Sequence, residues 1–547
     1  MTKRLYRTIL SGLIAVFGFA SHAQAQTVLE PVVREDDGPR PLDYGPGPGV
    51  PLATSYAATE ALAAPAEATM PTGPTAKAKG AFGTWINWPL IGLHAALLPD
   101  GRVMSYGTDG NGNQGGFIYD LWDPAAGTHN TLPNAFTPTD LFCSAQSVFA
   151  NSGNVLLTGG DRTDSSGVRN FSSNDVNVFY PASNQLLPDN NNKMMFARWY
   201  PTIVPLPNGE KLVVGGRENK GPIAATTPEV YTEGVGWRKP LFDATSDAAF
   251  GAKGGNWYYP RAYQLPNDPT KVIVLGNEGS LFYLQPAGTG SITKLAQTIR
   301  IGGYQFPTAK YAPGKLLSVR ANKKVVTVDI TGATPKIALT DDISQLRIWS
   351  NATVMADGKV FVNGGSEVGN QKIKEKYEAE IWDPATGHWS LAAKAEKYRL
   401  YHATALLLPD ATVLTAGGGA PGPVKNVNAE IYYPPYLYDA AGNPAPRPAI
   451  NIYPTWIKMS DPFFNPFWIT VDAGDVISRV TLLHTGSVTH SNNMEQSFQD
   501  LTFVQSGQSL AITPPRNPNY TVPGFYMLFV INNQGVPSVA KIIKIVR

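Results

Sequence analysis

Five side chains in this sequence could share one piece of chemistry. Tyr401 and His402 stand side by side in Arg399-Leu400-Tyr401-His402, opening an apolar run that closes on Gly417-Gly418-Gly419. The pair offers an oxygen and a nitrogen donor from one rigid element. Histidine is scarce, seven in all. His22 falls in the amino-terminal segment, His129 and His388 fall in repeat-closing turns where a solvated role is expected, and His94 and His484 sit among apolar residues where structural hydrogen bonding is expected. That leaves His402 and His490, each in a polar, glycine-flanked setting. Two imidazoles with phenolic oxygens form a mixed N,O set suited to tetragonal Cu(II), whereas structural zinc favours thiolates or more histidines. Tyr200 and Cys143 join the set because they too open repeats. The alternative assigns Tyr200 and Tyr401 to core packing, Cys143 to an inert buried thiol and His490 to linker hydrogen bonding.

The repeats are what must bring these residues together. From Trp85 the chain cycles through an apolar strand, a Pro/Asn/Asp-Gly turn, a second strand ending in Gly-Gly, a loop, and a strand closed by an aromatic and a turn. Clear copies open at His94, Cys143, Arg198-Trp199-Tyr200, Arg347 and Arg399. Gly364 lies 149 positions beyond Gly215, room at the roughly 50-residue kelch period for two weaker copies, placed near Tyr258 to Leu295 and Tyr304 to Ile343. Seven copies predict an all-β fold: a seven-bladed kelch-type β-propeller over 85–442, whose innermost strands bring distant repeat openings to one axis. Residues 443–547 follow, Pro-rich at first and then strand-like, and suit an immunoglobulin-like β-sandwich.

Lys3, Arg4 and Arg7 precede the apolar run Ile9 to Ala20 and the small-residue pattern Ala23-Gln24-Ala25, which reads as a signal peptide over 1–25. A Pro/Ala/Gly-rich leader or linker fills 26–84. The protein is therefore expected outside the cytoplasm, secreted, periplasmic or at the cell surface. No stretch is long and apolar enough for a membrane-spanning helix. With 44 basic and 42 acidic residues, the chain carries no electrostatic signature for nucleic acid. Cys143 is its single cysteine, so an intramolecular disulfide framework is ruled out.

Over nearly the whole mature chain the segments Phe142-Cys143-Ser144, Ala197-Arg198-Trp199-Tyr200, Arg399-Leu400-Tyr401-His402, Gly486-Ser487-Val488-Thr489-His490 and Pro523-Gly524-Phe525-Tyr526-Met527 resemble, in order, the galactose oxidase and glyoxal oxidase family of copper radical oxidases. The resemblance implies a Cys143–Tyr200 thioether that forms a redox cofactor and binds copper equatorially, Tyr401 as axial ligand and general base, and His402 and His490 as equatorial ligands. Two departures stand out. Where galactose oxidase has a radical-shielding tryptophan after the Gly-Gly, Gly216 is followed here by Arg217-Glu218-Asn219, and 248–261 holds no match to its sugar-clamping arginine. The Arg198-Trp199-Tyr200 wording is closer to the glyoxal oxidase branch, with Trp199 expected only to pack against the propeller.

The resulting expectation is an exported, monomeric, H2O2-forming copper oxidase that takes a small aldehyde, as its hydrate, or a primary alcohol, with O2 as acceptor. Two alternatives are a galactose-type oxidase acting on sugar primary hydroxyls in surface glycans, and a kelch propeller serving as a non-catalytic glycan-binding or adhesion module.

Overall fold

A computed structural model describes residues 70–162, 171–218, 223–303, 305–459 and 465–547. The expected signal peptide and most of the expected leader lie outside the described residues. Among the described residues, seven antiparallel blades are present. The first runs through His94–Leu97, Val103–Thr108, Gln114–Asp123 and Thr128–Pro133, and the third through Trp199–Pro205, Lys211–Arg217, Glu229–Thr232 and Gly236–Trp237. The two weak copies form full blades as well, beginning at Arg261–Gln264 and Thr308–Ala312.

The seventh blade contains Ala403–Leu407, Val413–Gly417 and Asn428–Tyr433, but its outer edge comes from the other end of the chain. Ala81–Phe82 pairs with Tyr432 and Tyr433, and Ile86–Asn87 pairs with Asn428 and Ala429. The ring thus closes on two short strands, one of which, Ala81–Phe82, begins upstream of Trp85. Two-residue strands carry too little pattern to be read from sequence.

The recurring Gly-Gly pairs have a common task. The amide of the second glycine donates to the carbonyl at the opening of the next blade: Gly160 to Arg198, Gly216 to Trp257 and Gly365 to Arg399. At Gly216, φ is +90° and an added Cβ would lie 3.0 Å from the Arg198 side chain, so the position excludes larger residues on two counts. A second device repeats in blades three, six and seven. Buried Arg198, Arg347 and Arg399 donate to the Gly215, Gly364 and Gly417 carbonyls and pair with buried Glu229, Glu380 and Glu430. These glutamates also accept backbone amides just upstream, from Met195, Ser344 and Glu396. The loop that opens each of these blades is therefore pinned on both sides.

After the ring, two sheets enclose a core of Ile450, Ile457, Phe467, Ile469, Val480, Leu482, Leu528 and Ile543. This is the sandwich, and it sends one hairpin into the ring. Ser487–Thr489 pairs with His94–Ala96 of blade one, and Asn492 pairs with Thr308 of blade five. Gln496 exchanges hydrogen bonds with the Val354 backbone in blade six. Glu495 accepts from Ser147 and from the Val148 amide and pairs with Lys211 at 3.4 Å.

The Lys211–Glu495 pair is buried on both sides, and breaking one half of such a pair strands the other charge. Glu495→Ala is expected to cost about 3–5 kcal/mol of stability, checked by denaturant unfolding. A loss within experimental scatter would show that Lys211 is satisfied without it.

Candidate metal centre

Each functional side chain sits where a blade opens toward the axis, and the backbone there is unusual. Cys143, Tyr200, Tyr259, Trp349 and His402 open blades two, three, four, six and seven with φ of +58°, +68°, +36°, +65° and +67°, and His490 at the hairpin tip has +49°. Non-glycine residues rarely adopt this region, and they persist in it only where the surroundings over-determine it. In blades three, six and seven those surroundings are the pinned loops described above. The openings are also stitched to one another: the Tyr200 amide donates to the Cys143 carbonyl, and the Tyr259 amide to the Tyr200 carbonyl.

All five residues singled out from the sequence meet on the axis. The Cys143 Sγ lies 3.4 Å from His490 Nε2 and 3.8 Å from His402 Nε2. The Tyr200 and Tyr401 hydroxyls are 3.0 Å apart, and Cys143 and Tyr200 lie in one buried cluster. The Tyr401 and His402 rings stack with centroids 3.8 Å apart, and the His490 ring stands edge-on to His402 at 4.5 Å. Every one of these side chains is buried.

The two imidazoles are oriented by their far nitrogens. His402 Nδ1 donates to the Gly419 carbonyl at 2.6 Å. The Thr489 hydroxyl donates to the Leu93 carbonyl, which leaves it to accept from His490 Nδ1 at 2.5 Å. Both rings therefore carry the Nδ1 proton and present a bare Nε2 to the cluster, the arrangement a metal-ligating histidine needs.

Burial drives each group toward its uncharged form. It lowers His402 to about 3 and holds His490 well below the ordinary range, with His402 adding to the effect. The same burial pushes the Tyr200 and Tyr401 phenols and the Cys143 thiol well above their usual values. Phenols so placed ionise only when a cation offsets the charge. Two neutral imidazole nitrogens and two phenolic oxygens fit a copper ion on that ground, and His402, His490, Tyr200 and Tyr401 are the residues that would hold it. The cluster Cys143, His402 and His490 also has its ligand atoms mutually within 4.8 Å.

The same burial predicts acid sensitivity in metal-free protein. Buried His94 is likewise lowered to about 3. Unfolded histidines take a proton near 6.5, so the unfolded chain binds more protons between about 3 and 6.5, and stability falls as pH drops through that window. The expected slope approaches ~1.4 kcal/mol per pH unit for each such histidine. Denaturant midpoints at pH 7 and pH 5 test this, and a flat profile would contradict it.

The remaining histidines are sorted as follows. His94 anchors blade one to blade two through Gln146 at 2.9 Å, and His484 bonds the Thr485 carbonyl, both structural as expected. His388 is exposed beside Asp341. His129 is not the solvated turn residue expected: it bonds buried Asp120 at 2.7 Å and packs edge-on against Trp88. Its place in the strand Thr128–Pro133 turns it onto the blade face.

Several residues of the site escaped the sequence reading. Trp349 packs on Tyr401 at 4.5 Å, and Tyr258 packs on Tyr200 at 4.7 Å. The signal for Trp349 was available: Arg347-Ile348-Trp349 occupies the place that Arg399-Leu400-Tyr401 fills one blade later. Trp199 does more than pack on the propeller, since its ring lies 4.3 Å from that of Tyr200. It stands opposite Arg217 in the strand pair, whose guanidinium lies 4.9 Å from the Trp257 ring and 5.8 Å from Trp199. The wall over Tyr200 is thus aromatic after all, built from Trp199, Trp257 and Tyr258. Arg261 points inward, donating to the Tyr259 and Ser491 carbonyls, so it braces the hairpin.

The chain is also similar in sequence and fold to known proteins. Residues 447–545 match the family described as Galactose oxidase-like, Early set domain. The chain is 26% identical over 505 residues to a galactose oxidase of Gibberella zeae, covering 85% of this chain and 70% of that one. It is 25% identical over 480 residues to aldehyde oxidase GLOX1 of Arabidopsis thaliana, covering 77% and 73%. A solved fungal alcohol oxidase of the AA5 family, in complex with copper, shares the fold, with a TM-score of 0.72, 23% identity, and coverage of 86% of this chain and 100% of that one.

Proposed function

We propose that this protein, a member of the galactose oxidase and glyoxal oxidase family of copper radical oxidases, oxidises a small aldehyde hydrate or primary alcohol outside the cytoplasm. Dioxygen is reduced to hydrogen peroxide in the same cycle. The observation that carries this reading is the convergence of Tyr200, Tyr401, His402 and His490 on one axis with the Cys143 thiol against two of them.

The oxidation removes two electrons and two protons from the substrate carbon and hydroxyl. Copper, when bound, supplies one of the two one-electron changes; Tyr200, joined by a thioether to Cys143, supplies the other. A sulfur substituent makes the phenol easier to oxidise, and the burial of Cys143 and Tyr200 in one cluster supports that linkage. Tyr401, as a phenolate, accepts the substrate hydroxyl proton. Tyr200 then takes the hydrogen atom from the carbon. His402 and His490 hold position throughout, locked by Gly419 and Thr489.

A small substrate is favoured over a sugar by the inward-facing Arg261, which leaves the fourth blade's opening without an outward arginine clamp, and by a wall of three large aromatics. The amino-terminal Lys3, Arg4, Arg7 and the apolar run to Ala20 support export. A peroxidase-coupled assay across glyoxal, methylglyoxal, glycerol and galactose tests the substrate class: peroxide from the small carbonyls is expected, and activity confined to galactose would overturn it. A purely adhesive propeller would neither yield peroxide nor carry a Cys143–Tyr200 cross-linked peptide after copper treatment.

A further inference from the structure

Among the described rings packed on Tyr200, four are buried: Trp199, Tyr258, Tyr259 and His490. The fifth, Trp257, is only half-buried, its ring 5.6 Å from Tyr200 and again 5.6 Å from Tyr258. A group that must gain or lose single electrons is sealed from solvent, and one indole bridges it to the surface. We propose that Trp257 is the port through which Tyr200 exchanges single electrons with oxidants in solution. This rests on Tyr200 being the redox group of the proposed function, and it concerns how that group is charged and discharged, not how it turns over.

The electron count is simple. A one-electron acceptor such as hexacyanoferrate(III) takes an electron from the Trp257 indole and becomes hexacyanoferrate(II). Tyr200, held as a phenolate in the copper-loaded protein, refills the indole and is left as the phenoxyl radical, with no proton transferred. The Arg217 guanidinium above Trp257 and Trp199 disfavours positive charge resting on either indole, so the oxidised equivalent settles on Tyr200. The same cation draws an anionic oxidant to the exposed edge of Trp257. The residue that replaces the family's tryptophan after Gly216 thus acts on both ends of the exchange.

The test uses copper-loaded full-length protein and its Trp257→Phe and Trp257→Tyr variants, with copper stoichiometry confirming that each is folded. After mixing with hexacyanoferrate(III), the growth rate of the phenoxyl absorption is measured beside its equilibrium midpoint potential. Trp257→Phe is expected to slow growth about tenfold, on the order of 1.4 kcal/mol in barrier, with the midpoint unchanged. Trp257→Tyr, still oxidisable, is expected to keep most of the rate. An unslowed Trp257→Phe variant, or a midpoint shift large enough to account for its slowing, would overturn the port. Absence of any phenoxyl absorption in the unsubstituted protein would remove the radical reading and the port with it.

Discussion

Cys143→Ala is expected to yield a folded protein that binds copper and turns over at least roughly a thousandfold more slowly, a barrier increase of ~4 kcal/mol. The folding half follows from what the side chain does in the ring. Cys143 is buried and has φ of +58°, and alanine keeps the Cβ and hence the same backbone constraint. The hydrogen bond that stitches blade two to blade three uses the Cys143 carbonyl, not its sulfur. Losing one buried sulfur atom should cost on the order of 1 kcal/mol. The activity half follows from the two-electron oxidation. Without the thioether, Tyr200 is an ordinary buried phenol whose burial already opposes ionisation, and its one-electron oxidation becomes harder. Peroxide production, intact mass and a denaturant midpoint read the three claims separately. Full activity in this variant would take the cross-linked cofactor out of the mechanism.

What the sequence could reveal depended on the range of the interaction involved. Blade rhythm is local: an apolar strand, a turn and Gly-Gly recur within about 50 residues, so even the two weak copies were placed correctly. Four of the five site residues were legible because each carries an uncommon side chain at a repeat opening, and His490 because it is a scarce histidine in a polar, glycine-flanked stretch of the second unit. Thr489 and Gly419 were not, since their task is to fix a ring nitrogen, which depends on a side-chain rotamer and a carbonyl direction. Closure of blade seven by Ala81–Phe82 links positions about 350 residues apart through two-residue strands, below the length at which strand patterning is meaningful. The aromatic wall was missed for a different reason. The expected tryptophan was sought after Gly216, whereas the rings come from the residue before Tyr200 and from the opening of blade four.

Copper removal is expected to destabilise the ring and the sandwich together, because one of the four proposed ligands belongs to the second unit. His490 lies at the tip of a hairpin that leaves the sandwich between Ile477–His484 and Phe498–Leu501 and pairs with blades one and five. Any ligand that binds only the assembled form stabilises it by mass action, by about 4 kcal/mol at a thousandfold excess over its dissociation constant. That energy is available only while His490 stays between Tyr200, at 5.3 Å between ring centroids, and His402, at 4.5 Å, so withdrawing the hairpin forfeits it. His490→Ala should abolish the copper-dependent increment. It should leave the metal-free midpoint less affected, since Glu495, Gln496 and Ser487–Thr489 still hold the hairpin in place. Unfolding followed with and without copper, in both proteins, separates the metal's contribution from the hairpin's own. Equal midpoints with and without copper in the unsubstituted chain would mean that His490 does not carry metal across the junction. The hairpin would then be a structural strut that happens to end in an imidazole.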